Sequence, residues 1–228
     1  MTTHIVIRTA TFSVTALLIT HASLHAQKRW DAPSIVSGNC SGCHGIDGNA
    51  ELPYFPKLAG LNSTYAQKKM AEFKESPSPH SDDLYGWMVN RFGDRKSTEN
   101  VTPDERINMV GIAHAVKPEA MKEAVGWYAK QCPTPGRGGD NALIQQGREL
   151  YAKGVPDQQI LACMSCHGKQ AEGQTSTPRL AGQNTEYIQA QLDKFRKGDR
   201  KHAPEMTMVA KELSPEQARA VAAYLNTR

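Results

Sequence analysis

The sequence predicts an all-α protein in which one small helical fold is used twice in tandem. Three features of its 228 residues predict it. The two halves align with each other over most of their length. Apolar residues recur at helical spacing in corresponding places of both halves. Runs of Val and Ile alternating with polar residues, the mark of half-buried strands, are missing.

The repeat has three blocks. Cys40, Cys43 and His44 in "GNCSGCHGIDG" match Cys163, Cys166 and His167 in "LACMSCHGKQAEG". "PKLAGLNSTYAQKKMAEFKES", from Pro56, matches "PRLAGQNTEYIQAQLDKFRKG", from Pro178. "MVGIAHAVKPEAMKEAVGWYAK", from Met109, matches "MTMVAKELSPEQARAVAAYLNT", from Met206. The offset shrinks between the second and third blocks, so the first half carries an insertion of about 25 residues, placed at about 74–108. "CPTPGRGGDN", rich in Pro and Gly, reads as a linker at 132–141. The domains are then 27–131 and 142–228.

Residues 1–26 differ from the rest. They contain no Asp or Glu, carry Arg8 early, continue with an apolar stretch at 10–19, and end with small residues near Ala22, Ser23 and Ala26. This is the layout of a secretory signal peptide, too short and too polar at its flanks for a comfortable membrane span. It predicts export, to a bacterial periplasm. Net charge is +4 and 39% of residues are hydrophobic, enough for packed cores. No Lys/Arg run is long enough for a nucleic-acid groove, so no nucleic-acid partner is expected.

Helical elements follow from apolar spacing. Ala66, Met70 and Phe73 fall at i, i+4, i+7, and Ile188, Leu192 and Phe195 repeat the pattern. Met121, Ala124, Val125 and Tyr128 match Ala218, Val221, Ala222 and Leu225 in a terminal helix of each domain. Ser214-Pro-Glu-Gln supplies an N-cap, a proline at the first helical position and a Gln two residues on, a helix start with a mechanism.

Four of the five cysteines lie in the two Cys-x-x-Cys-His motifs. A dithiol redox site would need a βαβ context that the pattern lacks. A zinc site pooling the thiolates would leave both adjoining histidines unexplained. Covalent attachment of heme c uses every residue: each Cys adds to a vinyl group and the next His ligates iron. Two heme c groups are expected, tethered by Cys40 and Cys43 and by Cys163 and Cys166, with His44 and His167 on the irons. Cys132 has no counterpart in the second half and reads as a surface thiol, with a disulfide to another chain as the rival.

The sixth ligands are sought among the methionines. Met109 and Met206 occupy equivalent positions ahead of the terminal helices, outside the apolar faces, and are the candidates. Met208 rivals Met206. Met70 and Met121 sit on apolar faces and read as core. His80, His114 and His202 lack counterparts and read as solvent-exposed or weakly structural. Pro56 and Pro178 follow the two ligand histidines at similar distance, and their carbonyls are candidates to hold each imidazole's other nitrogen. Leu58 and Leu180 are then expected on the porphyrin faces. Lys57 and Arg179 are placed either at heme propionates or in solvent.

Cys-x-x-Cys-His, Pro-Lys/Arg-Leu-Ala-Gly and a Met before "LSPEQARAVAAYL" together resemble class I cytochrome c. Two such units in one exported chain are similar to the diheme cytochrome c4 family. The resemblance implies two tandem cytochrome c-type domains, each around one covalently bound heme, facing each other through their heme edges. It implies single-electron transfer in the periplasm between redox protein partners, such as a quinol-oxidising complex or dehydrogenase and a terminal oxidase or reductase, with peripheral association at membrane respiratory complexes. Irons closed by His and Met favour a carrier over an enzyme. The alternatives are the diheme electron-accepting subunit of a dehydrogenase complex, or a diheme enzyme such as a thiosulfate dehydrogenase or peroxidase. Two departures stand out. The helix seen as "QQGRELYAKG" before the second motif is short or missing before the first, and the insertion with "DDLYGWMVNRFGDR" reads as a surface helix or a docking element.

Overall fold

Each half wraps a one-turn helix bearing its Cys-x-x-Cys-His motif with longer helices whose ends are set by local chemistry. The computed structural model describes residues 31–77 and 105–228, the side chains of 105–108 excepted. The signal peptide at 1–26, His80, Met88 and nearly all of the insertion lie outside the described residues.

In the first half, a π-helical turn, Val36–Cys40, runs directly into α1, Ser41–His44. Helix α2, Ser63–Glu75, starts at Asn62, whose side chain accepts from Thr64 N at 2.9 Å and Tyr65 N at 3.3 Å. Helix α3 is Glu105–Ala115, and α4, Pro118–Ala129, begins with proline where no amide hydrogen is needed. Helix α2 packs on α3 and α4. Val36, Val110, Ala113, Ala124, Val125 and Tyr128 are buried at the centre.

The second half opens with a full helix, α5, Asn141–Lys153, capped by Asp140 through Ala142 N at 2.8 Å. Then come α6, Met164–His167, α7, Thr185–Lys197, α8, Pro204–Glu212, and α9, Pro215–Asn226. The α9 start is a complete capping box: Gln217 N donates to Ser214 Oγ at 3.1 Å and Ser214 N donates to Gln217 Oε1 at 2.7 Å. Helices α5 and α9 cross at Gly147, where a Cβ would lie 1.9 Å from the Ala220 carbonyl oxygen. Only a residue without a side chain permits that approach. Ile188, Leu192 and Phe195 are buried, as are Ala218, Val221, Ala222 and Leu225, so both expected apolar faces form the core. Among the described residues β-structure is limited to two isolated bridges, Val155 with Ile160 and Gln174 with Thr177.

Met109 and Met206 lie within α3 and α8, in each half the helix that precedes the terminal helix. One sequence expectation needs correction: the face of α2 is shifted. Ala66, Met70 and Phe73 are half-buried, while Glu72 is buried and ion-paired with Lys69 one turn away. A carboxylate tolerates that burial because its countercharge sits beside it.

The segment 132–140 carries no helix and is pinned to both halves. Asn49 in the first half accepts from Thr134 N and Oγ1, each at 2.9 Å, and donates to Cys132 O at 3.0 Å. Gly136 N donates to Asn226 O at 2.6 Å in the second half. The halves also touch directly: Asn184 Nδ2 lies 3.0–3.3 Å from the carbonyls of Ala50, Leu52 and Phe55. Arg200, stacked 4.1 Å over the Phe195 ring, reaches Tyr65 Oη at 3.4 Å.

Candidate functional site

A single helical turn puts residues three apart on one side. Cys40 and Cys43 therefore share a face of the turn that ends in His44, and Cys163 and Cys166 share one in the turn that ends in His167. Each turn stops at a glycine with positive φ, Gly45 at 75° and Gly168 at 85°, which bends the chain away just beyond the histidine.

The returning chain then comes back over the histidine. The carbonyl of Gly48 accepts from Leu58 N at 2.7 Å and Ala59 N at 3.1 Å; that of Ala171 accepts from Leu180 N at 2.8 Å and Ala181 N at 3.0 Å. These paired bonds fix Pro-x-Leu-Ala-Gly in both halves. As a result His44 Nδ1 donates to Pro56 O at 2.9 Å, and His167 Nδ1 donates to Pro178 O at 3.0 Å. A carbonyl only accepts, so Nδ1 carries the proton and Nε2 keeps a lone pair for a metal. Both histidines are 6% exposed, and burial pushes both imidazoles below their ordinary range, against the opposing bond to proline. Phe55 stands edge-on to His44 with ring centroids 6.2 Å apart.

A tyrosine closes each turn from behind. Tyr151 of α5 donates to Gly168 O at 2.5 Å. In the first half Tyr128 of α4 donates to Gly45 O at 3.0 Å, with Trp127 Nε1 donating to Ile46 O at 2.7 Å. A different helix does the same job. Spacing alone places Tyr128 on an apolar face and gives Tyr151 no role; the available signal is a hydroxyl at a core position, which must find an acceptor.

The thiols are not an activated redox pair. Burial pushes Cys40 up to about 11, with Cys43 adding to it, and pushes Cys163 up to about 11, where a reactive dithiol needs the reverse. Nor do three His, Cys, Asp or Glu side chains gather around a bare ion anywhere among the described residues. The donor set instead fits heme c. Each half presents two neighbouring thiols and an oriented imidazole. In the second half Arg179 Nε is buried with no hydrogen-bond partner, an orphaned donor that suits an acceptor such as a heme propionate. Its counterpart Lys57 is spent on Thr134 O at 2.9 Å. Met206 is half-buried against the second core, whereas Met208 is 68% exposed. Met109 is half-buried in α3. His114 bonds Ser76 O at 2.9 Å and His202 lies 3.9 Å from Glu75, both at the surface.

The sequence model of the cytochrome c family matches residues 31–111 and 144–228. Cytochrome c4 of Azotobacter vinelandii is 30% identical over 191 residues, 82% of this chain and 82% of that protein. The thiosulfate dehydrogenase electron acceptor of Stutzerimonas stutzeri is 30% identical over 192 residues, 81% of this chain and 76% of that protein. The crystal structure of reduced recombinant cytochrome c4 from Pseudomonas stutzeri superposes with a TM-score of 0.69 at 28% identity, covering 86% of this chain and 98% of that one.

Proposed function

We propose that this chain, which belongs to the cytochrome c family and within it to the diheme cytochrome c4 group, relays electrons in the periplasm through two irons closed by protein ligands. It binds two heme c and transfers single electrons between redox partners. Bound there, each heme supplies an iron that alternates between ferric and ferrous states.

In this reading Cys40 and Cys43 tether the first heme and Cys163 and Cys166 the second. His44 and His167 offer Nε2, held in orientation by the Pro56 and Pro178 carbonyls. Met109 and Met206 supply the sulfurs, and the exposure of Met208 is what favours its neighbour. A thioether is neutral and soft, so it favours reduced iron and raises the potential. The observation that carries the proposal is the doubled imidazole–proline bond, which holds two buried histidines in one orientation. Domains at 27–131 and 142–228 joined by 132–141 fit this division. No helix among the described residues is long and apolar enough to cross a membrane.

Quinol-oxidising complexes or dehydrogenases are the proposed donors and terminal oxidases or reductases the acceptors. A second reading makes the chain the electron acceptor of a sulfur-compound dehydrogenase, favoured by the thiosulfate dehydrogenase electron acceptor among its relatives. A reductive titration with optical detection tests the core proposal. Two one-electron steps and no carbon monoxide binding to the reduced protein are expected; an iron that takes up carbon monoxide at neutral pH contradicts a closed carrier. Rapid reduction by a purified thiosulfate dehydrogenase, absent with a quinol-oxidising complex, would select the second reading.

A further inference from the structure

The peptide group between Pro56 and Lys57 is gripped at both ends. Its carbonyl accepts from His44 Nδ1 at 2.9 Å. Its N–H, that of Lys57, donates to Gln183 Oε1 at 2.8 Å, a residue of the other half. Gln183 Nε2 then donates to Lys57 O at 3.0 Å, so one side-chain amide pairs with the backbone as a strand would. The partners fix which end of the amide is oxygen, since Lys57 N only donates and Lys57 O only accepts.

Gln183 is 7% exposed and firmly held. Its N–H bonds Leu180 O at 3.1 Å, its carbonyl accepts from Asn226 Nδ2 at 3.0 Å, and Gly182 N bonds Leu225 O at 2.9 Å. Gln183 therefore links the first half's imidazole, through the Pro56–Lys57 peptide group, to the end of the second half's terminal helix. The arrangement is one-sided. In the repeat, Leu61 stands where the second half has Gln183, and leucine accepts nothing.

We propose that Gln183 is a positioning residue for the first heme alone, and that by accepting from Lys57 N–H it sets the potentials of the two centres apart. The inference rests on the proposed ligation by His44. An amide whose N–H is engaged carries more negative charge on its oxygen, and hydrogen bonds in a buried chain polarise one another. The Pro56 carbonyl then draws harder on the Nδ1 proton, which raises the basicity of Nε2. A more basic imidazole favours ferric iron and lowers the potential. Without Gln183 the first potential should rise and the second should stay.

The test uses the full-length holoprotein. The ferric spectrum is recorded first and must show iron–sulfur ligation at both centres, so a failure of the ligation reading appears there and not in the variants. A Met109→His variant, which displaces only the first centre, assigns the two potentials. Gln183→Leu removes the acceptor; Gln183→Glu keeps it; Asn184→Ala loosens contact between the halves without touching the Lys57 amide. Expected are a rise of the first potential in Gln183→Leu, with an upfield shift of the His44 Nδ1 proton resonance in the reduced protein. Gln183→Glu should leave that potential at or below the wild-type value, and the second potential should be unmoved in all three variants. An unshifted first centre in Gln183→Leu, an equal shift of both centres, a rise in Gln183→Glu, or the same shift in Asn184→Ala overturns the proposal.

Discussion

Gly147→Ala adds one methyl group where α5 crosses α9. The new Cβ would sit 1.9 Å from Ala220 O, 2.5 Å from Ala220 C and 2.8 Å from Tyr224 Cβ. Ordinary non-bonded contact is about 3.5 Å, so the helices must part by roughly 1.5 Å. A gap of about 1 Å already forfeits up to half of the dispersion energy of a contact. The seam that opens includes buried Leu150, Tyr151, Val221 and Tyr224, with the two tyrosine rings 5.4 Å apart. Overpacking a close-packed site costs about 1–3 kcal/mol, and a clash with backbone belongs at the top of that range. Alanine's better helix propensity returns about 1 kcal/mol. The clash wins, and the variant should lose about 2 kcal/mol. Gly126→Ala in α4 isolates the propensity effect, because nothing lies within 4 Å of its new Cβ; it should gain up to about 1 kcal/mol. Urea unfolding of both holoproteins, followed by far-ultraviolet circular dichroism, reads the two signs. A Gly147→Ala protein as stable as the wild type would refute the packing argument.

Tyr151→Phe and Tyr128→Phe each remove the bond to the glycine carbonyl that follows His167 or His44. Each should destabilise its own domain by about 1–2 kcal/mol in the same unfolding assay, with the two losses additive. Asn184→Ala should cost about 1 kcal/mol and speed proteolysis at 132–140, since those bonds tie the halves beside the linker. A thiol assay on the unfolded holoprotein should return one thiol per chain, Cys132, because heme attachment consumes four of the five cysteines; Cys132→Ser should return none.

Much of the fold was legible because the repeat displays each helix face twice. Ile188, Leu192 and Phe195 could be read as core from spacing alone, and the Ser214 capping box from four residues. The proline carbonyls could be found because the two Cys-x-x-Cys-His motifs and the two Pro-x-Leu-Ala-Gly stretches keep nearly the same separation. What escaped was what tertiary context decides. Asn62 and Asn184 are equivalent in sequence, yet Asn62 caps α2 while Asn184 turns its amide across to the other half. Tyr128 and Tyr151 are not equivalent in sequence, yet they bond equivalent carbonyls from different helices, α4 and α5. Lys69 takes Glu72 inward with it, which no hydrophobic pattern announces. Nor were α3 and α8, the helices that hold Met109 and Met206, read from apolar spacing.

The closed character of both irons is tested most directly by the weak red absorption band that iron–sulfur bonding gives the ferric protein. The band should be present at full strength for two hemes, halved in Met109→Ala, halved in Met206→Ala and unchanged in Met208→Ala. A band already at half strength in the wild type, or one that survives intact in Met109→Ala or Met206→Ala, would contradict the account.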